Sequence, residues 1–181
     1  FLDDVEQPTD LVRYWAIYTS GIHLQMDNSP NLKAYLPEAM AKQITQYLLR
    51  FSSKNTLDLF GGGYSYIPSD VIDISSGSTT GNPNMRKKYV RDLNCQPNFN
   101  EVVDSNYDLV TMINGMAYVK KPEEVFDAAR KTLRPGGYIV IGFGEAFDVF
   151  LATTLWSMSS EITRRFFLNQ ACGYDVDEFL D

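Results

Sequence analysis

The hydrophobic positions of this chain change their spacing near residue 55. Before that point they recur at helical intervals. Apolar side chains from Leu11 to Tyr18 follow the capping residue Thr9 and predict a helix over about residues 9–20. Pro37 opens a second predicted helix, because the residues after it repeat an apolar face at three- and four-residue steps as far as Phe51. Between the two predicted helices, residues 21–37 are rich in Asn, Ser, Pro and Gly and are predicted to form a loop.

Beyond residue 55, short apolar runs alternate with polar loops and helical segments. The predicted strands cover residues 56–60, 70–74, 89–93, 107–113 and 138–143. An amphipathic helix is predicted over 122–133, ended by the Arg-Pro-Gly-Gly run at 134–137, and a last helical stretch over 147–172. This alternation is typical of an α/β fold with a doubly wound, mainly parallel sheet and helices on both faces.

Polar residues and glycines follow the predicted strands at their carboxyl ends, where ligands bind in sheets of this kind. A carboxylate accepts hydrogen bonds from both hydroxyls of a ribose, and Asp73 stands at such a strand end. Three successive glycines at 61–63 lack a Cβ, so backbone amides there can approach a ligand closely. Asp58, just before them, is expected to meet the ligand or to orient the glycine loop. The sequence thus predicts a ligand site at this edge.

The charge and the cysteine content of the chain limit the kinds of partner and metal that it is expected to bind. The formal net charge is −7 and the densest basic cluster is the short run at 86–88. Neither nucleic acid nor a membrane surface is therefore an expected partner. Two cysteines and one histidine make neither a disulfide framework nor a zinc site, so no metal is expected. The sequence predicts a soluble, cytoplasmic protein with residues 1–36 as an N-terminal helical extension or lid and 37–181 as the main domain.

Several runs resemble successive motifs of class I S-adenosylmethionine-dependent methyltransferases over about residues 55–145. They read TLDLFGGG, VIDIS, VRDLN and YDLVTMINGMAYVKKPEEVFDAARKTLRPGGYIVIGF. The last run is the most specific of them. The chain is most similar to a subgroup whose first loop reads Asp-Leu-x-Ser-Ser-Trp-x-Ser-His-Leu-Pro, where residues 58–68 here read DLFGGGYSYIP. Sheets of this family usually finish with an antiparallel hairpin, of which at most one strand is expected here.

The resemblance implies S-adenosyl-L-methionine as cofactor and a small-molecule substrate. The first loop would hold the methionine part, Asp73 the ribose, and Asp92 the adenine amino group. The implied cofactor-binding residues are Asp58, Phe60, Gly61, Gly62, Gly63, Tyr64, Asp73, Ile74, Asp92, Leu93, Asn114 and Gly115. Tyr118 and Trp156 are candidates for the wall of a substrate pocket. No catalytic base is assigned, since a sulfonium methyl group is already activated and the protein's main task is alignment.

Alternatives remain open at several of these positions. The Asp92 carboxylate would otherwise pair with Arg91 or cap a turn, and Asn114-Gly115 would be ordinary turn residues. Trp156 would otherwise pack in the core. The glycine spacing also departs from the common family pattern, since Phe60 and Tyr64 stand where glycines are usual.

Two other functions compete with methyl transfer. One is a non-catalytic binding module that keeps the fold, which the altered glycine pattern favours. The other is a nucleotide-dependent oxidoreductase, which needs Gly-x-Gly-x-x-Gly; residues 61–66 lack the last glycine.

Overall fold

The computed structural model describes residues 13–19, 38–59, 65–73, 82–101, 103, 106–113, 115–144, 153, 156, 158–172 and 177–179. Its strands are β1 (Arg13–Thr19), β2 (Thr56–Leu59), β3 (Ser69–Asp73), β4 (Met85–Val90), β5 (Tyr107–Ile113), β6 (Leu133–Gly144) and β7 (Asp177–Phe179). Its helices are α1 (Glu38–Leu49), α2 (Pro122–Thr132) and α3 (Glu161–Cys172), with a short 3₁₀ helix at Met116–Tyr118.

The strands form one sheet in the order β4-β3-β2-β5-β6-β1-β7, and the pairings between the described strands are parallel. The five strands predicted from the sequence occupy adjacent positions, with β2 in the middle. The chain runs outward from β2 to β4, then returns to β5 and continues to β6, which is a doubly wound order. The predicted fold class is confirmed, and the sheet order is that of the Rossmann-like methyltransferase fold.

Two buried clusters cover the two faces of the sheet. On one face, α1 packs Ile44 and Leu48 against Leu109 and Val140. On the other, α2 contributes Phe126 and its apolar neighbours to a larger cluster that contains the alternate residues of β2, β5 and β6. Parallel strands covered on both faces are expected to be apolar throughout, and β2 and β5 are buried along almost their whole length. Helices therefore lie on both faces, as predicted.

The helix predicted over residues 9–20 is wrong for 13–19. This segment is β1, paired in parallel with β6 from Arg13 with Tyr138 to Thr19 with Gly144. Its sequence, RYWAIYT, is rich in aromatic and β-branched residues, which favour strands, and that preference prevails over the helical spacing. Because the remaining residues of 1–36 lie outside the described part, the domain division at residue 36 stays a prediction.

The third predicted strand is displaced along the chain. It was expected at 89–93, whereas β4 covers Met85–Val90. β4 is the outermost strand on its side of the sheet, where charged residues are common, so its MRKKYV sequence lacks the apolar signal of a central strand. Beyond Val90 the chain turns, because the Asp92 carbonyl accepts hydrogen bonds from the Cys95 and Gln96 amides.

β6 begins five residues earlier than predicted. Leu133 already pairs with Tyr107, and the register then shifts so that Tyr138 pairs with Leu109. The extra residues include Gly136, whose φ of 76° suits glycine, so the Arg-Pro-Gly-Gly run forms a bulge inside the strand region.

The last predicted helix is interrupted. Residues 158–160 are not helical, and α3 starts afresh at Glu161 after Ser160, whose hydroxyl accepts from the Thr163 amide. None of the described helices is long and apolar enough to span a membrane.

Candidate functional site

The candidate cofactor-binding residues that the structure describes lie at the carboxyl ends of the strands from β4 to β5. Asp73 is the last residue of β3, Asp92 follows β4 by two residues, and Gly115 follows β5 by two. Asp58 lies one residue before the end of β2, paired with Val71 of β3 and Thr111 of β5. Since these strands are neighbours, the residues line a single edge of the molecule.

Asp58 is a buried carboxylate in contact with two hydroxyls. It is 4% exposed, and it accepts from Ser65 Oγ at 2.7 Å and from Thr111 Oγ1 at 2.9 Å. Burial disfavours the charged form and raises the pKa of Asp58 to about 7, although the two hydrogen bonds oppose this rise. Of the two roles expected for Asp58, these contacts favour orienting the loop over contacting the ligand.

Ser65 is fully buried and all of its polar groups are engaged. Its N–H donates to Asn82 Oδ1 at 3.2 Å, and its hydroxyl accepts from Asn82 Nδ2 at 3.0 Å. Its carbonyl accepts from Asn84 Nδ2 at 2.6 Å. Residues 65 and 82–84 are thereby fixed to each other and, through Asp58, to the sheet.

Asp73 keeps its carboxylate near the surface of the site. Its side chain is 15% exposed and lies 3.6 Å from the ammonium of Lys88, which is 14% exposed. The Asp73 carbonyl accepts from the Arg91 amide at 2.8 Å, which fixes the chain direction beyond β4.

Asp92 caps a turn. It is exposed, and its Oδ1 accepts from the Asn94 amide at 2.9 Å while its Oδ2 accepts from Cys95 Sγ at 3.2 Å. These hydrogen bonds, that of Asn94 first, lower the pKa of Asp92, and the contact with Asp92 raises the pKa of the Cys95 thiol. The turn-capping alternative is therefore the one that the geometry supports. Leu93 is 1% exposed and packs in the larger core cluster.

The turns after β4 and β5 are joined by Asn94. Its Nδ2 donates to the Tyr118 carbonyl and its Oδ1 accepts from the Lys120 amide, both at 2.8 Å. Gly115 precedes the 3₁₀ helix in a right-handed conformation, and its carbonyl accepts from the Tyr118 amide at 3.0 Å. Gly115 thus has a turn role in this structure, and Asn94 holds the turn against its neighbour.

A cavity of about 210 Å³ opens beside the segment that follows β5. Its lining combines apolar side chains with a few polar ones: Met116, Val119, Lys120, Pro122, Glu123, Thr153, Trp156, Phe167 and Gln170. Trp156 is 4% exposed and stands edge-on to Phe143, with ring centroids 6.2 Å apart. It therefore packs in the core and also lines the cavity, whereas Tyr118 is half-buried against the core and is absent from the lining.

The remaining candidates lie outside the described residues. They are Phe60, Gly61, Gly62, Gly63, Tyr64, Ile74 and Asn114. Their assignment to the cofactor stays a prediction.

Sequence reasoning missed Ser65, Asn82 and Asn94. A signal for Ser65 was present: the subgroup motif quoted above has serine at the position of Ser65 as well as aspartate at that of Asp58. Asn82 stands in a polar loop that reads as ordinary turn sequence, and nothing local marks it.

Residues 72–141 match the family model of a methyltransferase domain. The match spans 70 of the 181 residues, from the end of β3 to the middle of β6. Together with the sheet order, it supports a methyltransferase. Neither among curated proteins nor among solved structures was a significant match to the chain found.

Proposed function

We propose that this chain transfers the methyl group of S-adenosylmethionine to a small, largely apolar acceptor. The observation that carries the proposal is the methyltransferase-domain match to the segment that supplies Asp73, Asp92 and the turn after β5. These residues line the edge at which a doubly wound sheet binds its ligand.

The residues at this edge fit the cofactor in part. Asp73 is the last residue of β3, and its carboxylate would accept from a ribose diol there. The glycines at 61–63 would supply backbone amides to the methionine part. Asp92 already accepts two hydrogen bonds from its own turn, so only its remaining lone pairs would face an adenine amino group. When bound, the cofactor supplies a sulfonium carbon that is open to nucleophilic attack.

The chain's own contribution would be alignment and the exclusion of water. The cavity beside Met116, at about 210 Å³, is smaller than most ligand pockets and so suits a small acceptor, and Trp156 and Phe167 offer flat apolar walls. Glu123 and Gln170 are polar groups of the lining that would orient such an acceptor. Holding a nucleophile about 3–3.5 Å from the methyl carbon accounts for much of the rate in reactions of this kind.

A second candidate is a cofactor-binding module without transferase activity. It is favoured by the engagement of Asp58 and Asp92 with the chain's own donors, and by Phe60 and Tyr64 at positions where glycine is usual. Such a module would bind S-adenosylhomocysteine and transfer nothing.

Calorimetric titration with S-adenosylmethionine, S-adenosylhomocysteine and NAD tests the cofactor. Binding of the first two without NAD supports the proposal, and binding of NAD alone would replace it with an oxidoreductase. A methylation assay with radiolabelled cofactor and a panel of small aromatic alcohols and amines then separates enzyme from module.

The acceptor pocket has its own test in tryptophan fluorescence. The chain has two tryptophans, Trp15 in β1 and Trp156 in the cavity. An accepted substrate should quench the fluorescence of the Trp15→Phe variant and leave that of Trp156→Phe unchanged. Equal quenching in both variants would place the acceptor elsewhere.

A further inference from the structure

Three parts of the chain line the cavity beside Met116. They are the segment from the turn after β5 to the start of α2, the pair Thr153 and Trp156, and two residues of α3. The Thr153 amide donates to the Ala117 carbonyl at 2.8 Å, and the Trp156 amide donates to the Thr153 hydroxyl at 3.4 Å. These two hydrogen bonds hold the backbone of Thr153 and Trp156 against the turn, but they do not reach the indole ring.

Arg164 of α3 contacts both the backbone and the ring of Trp156. Its Nε donates to the Trp156 carbonyl at 3.2 Å, and its guanidinium carbon lies 5.4 Å from the centroid of the indole ring. Arg164 is 3% exposed and Trp156 is 4% exposed, so the contact is shielded from water. A cation over an aromatic face is attracted by the π electrons of the ring, and more strongly where water is excluded. Arg164 therefore holds the indole ring in place relative to α3.

The position of Arg164 is unfavourable for a cation in two respects. α3 begins at Glu161, so Arg164 lies in the first turn, near the positive end of the helix dipole. Its side chain is also buried, and a buried charge costs free energy that only good contacts offset. An apolar side chain would fill the same space at a lower cost. The contacts with Trp156 therefore give this arginine a role beyond packing.

We infer that Arg164 is a positioning residue for the cavity: it fixes the plane of the Trp156 ring, so that a flat aromatic acceptor meets a preformed wall. This inference rests on the proposed function, which assigns the cavity to the acceptor. Arg164 is not part of the described lining, so it acts through Trp156. A ring that is already held in place loses little further freedom when a ligand binds, and binding is stronger for that reason.

The positioning of the ring is tested without a ligand by the fluorescence of Trp156. In the Trp15→Phe background, Trp156 is the single tryptophan of the chain. Arg164→Met keeps an unbranched side chain and removes both the hydrogen bond and the cation. It should add a fast component to the anisotropy decay of Trp156 and make its emission easier to quench with acrylamide. No change in either measurement would overturn the inference.

Arg165→Met is the matched control. Arg165 is the next residue of α3, and its guanidinium carbon lies 5.9 Å from the centroid of the Phe143 ring, which is not part of the described lining. This variant loses a similar contact between a cation and a ring on the same helix, and it should leave the anisotropy decay of Trp156 unchanged. Equal effects of Arg164→Met and Arg165→Met would indicate a general loosening of α3 and would overturn the inference.

The consequence for binding is tested with 4-fluorophenol, with and without S-adenosylhomocysteine. Binding is followed by ¹⁹F NMR, which needs no tryptophan as a reporter and measures weak affinities. Arg164→Met should raise the Kd of 4-fluorophenol by about tenfold in the otherwise unchanged chain. In the Trp156→Leu background, which has no ring to hold, the same substitution should leave the Kd unaltered. An equal effect of Arg164→Met in both backgrounds would show that Arg164 does not act through Trp156, and would overturn the inference.

A second variant covers the case in which Arg164→Met does not fold. Arg164→Gln keeps a hydrogen-bond donor and removes the cation, and it should change the anisotropy decay and the Kd in the same directions. A parent chain that binds no 4-fluorophenol overturns the acceptor pocket of the proposed function, and the anisotropy of Trp156 still decides whether Arg164 positions the ring. Binding of 4-fluorophenol that does not depend on Arg164 keeps the proposed function and overturns the inference.

Discussion

Replacing Asp58 by asparagine should change how the stability of the protein depends on pH. The side chain is buried, and burial raises its pKa from 3.8 to about 7. The folded protein therefore binds a proton that the unfolded chain has released between these two values. Stability falls as the pH rises through this range and is level above it. A difference of about 3 pKa units corresponds to about 4 kcal/mol of unfolding free energy.

The asparagine side chain does not titrate, so the Asp58→Asn variant lacks this loss. The unfolding free energies of both proteins should be measured in urea between about pH 5 and pH 8. The value for the variant minus that for the parent should rise by about 3 kcal/mol over this range, with a slope near 1.4 kcal/mol per pH unit that levels off near pH 7. The amide also replaces the carboxyl group in the contacts with Ser65 and Thr111, and the free-energy cost of this replacement is the same at every pH. It therefore displaces the whole curve of the stability difference against pH without changing the slope of that curve.

Asp127→Asn is the matched control for this experiment. The Asp127 side chain on α2 is half-exposed, and its hydrogen bond with Lys131, followed by that with Arg130, lowers its pKa. Its contribution to stability is lost only as the pH falls below the ordinary range for aspartate, so its difference curve should be flat between about pH 5 and pH 8. A flat curve for Asp58→Asn, or one that falls with pH, would refute the argument from burial.

Three further substitutions have definite expected outcomes. Asp73→Ala should raise the Kd of S-adenosylhomocysteine by about 10- to 150-fold in calorimetry while Asp127→Ala leaves it unchanged; equal values for Asp73→Ala and the parent would contradict the ribose assignment. Trp156→Ala should lower the unfolding free energy by about 3–5 kcal/mol in urea unfolding, because the ring is buried against Phe143. A loss under about 1 kcal/mol would contradict this and would mean that neighbouring side chains fill the cavity left by the ring. Asp108→Ala, at the opposite edge of the sheet, should cost about 2–4 kcal/mol in urea unfolding without touching the affinity for cofactor; a stability equal to that of the parent would show that the contacts of Asp108 are dispensable.

The expected cost at Asp108 follows from its contacts at the start of β5, where the residue is buried. Its carboxylate accepts from the Lys54 amide at 2.7 Å and the Asn55 amide at 3.1 Å, and it lies 2.5 Å from Arg134 Nε. Nothing in the sequence around Asp108 reveals these partners, since two of them lie some 50 residues away and the third lies beyond α2. Asp127, whose side chain is half-exposed on α2, is the better control for substitutions at the site.

The central part of the fold was predictable because burial imposes its own pattern. β2, β5 and the middle of β6 are covered on both faces, so their sequences are nearly continuous apolar runs that no other element explains as well. α2 carries proline at its start, acids in its first turn and bases in its last, and its predicted bounds are right to one residue.

The strands farther from the centre of the sheet were less predictable for a physical reason. An outer strand is covered on fewer sides, so β4 carries Arg86, Lys87 and Lys88 and resembles a loop by composition. β1 depends on pairing with β6, more than a hundred residues away, which no local pattern records. Strand propensity and helical spacing conflict there, and tertiary pairing decides between them.

For two of the candidate residues, the position in the sheet was predictable from the sequence. Asp58 and Asp73 were placed correctly at strand ends, but not their partners. Ser65 and Lys88 engage these carboxylates across neighbouring segments, and such contacts depend on strand order, which sequence spacing does not encode.

The short connection between β2 and β3 has a consequence for the order of folding. Nine residues, 60–68, join these two parallel strands, and Leu57 pairs with Asp70 only 13 positions away. The pairing of β2 with β5 joins Thr56 to Leu109, 53 positions apart. By loop-closure entropy alone, the nearer pairing is favoured by about 1 kcal/mol, and short-range contacts of this kind form fastest. β2 and β3, with Asp58 and Asp73 at their ends, are therefore suited to be the first strands to associate, so this edge of the sheet would take shape before the sheet is complete.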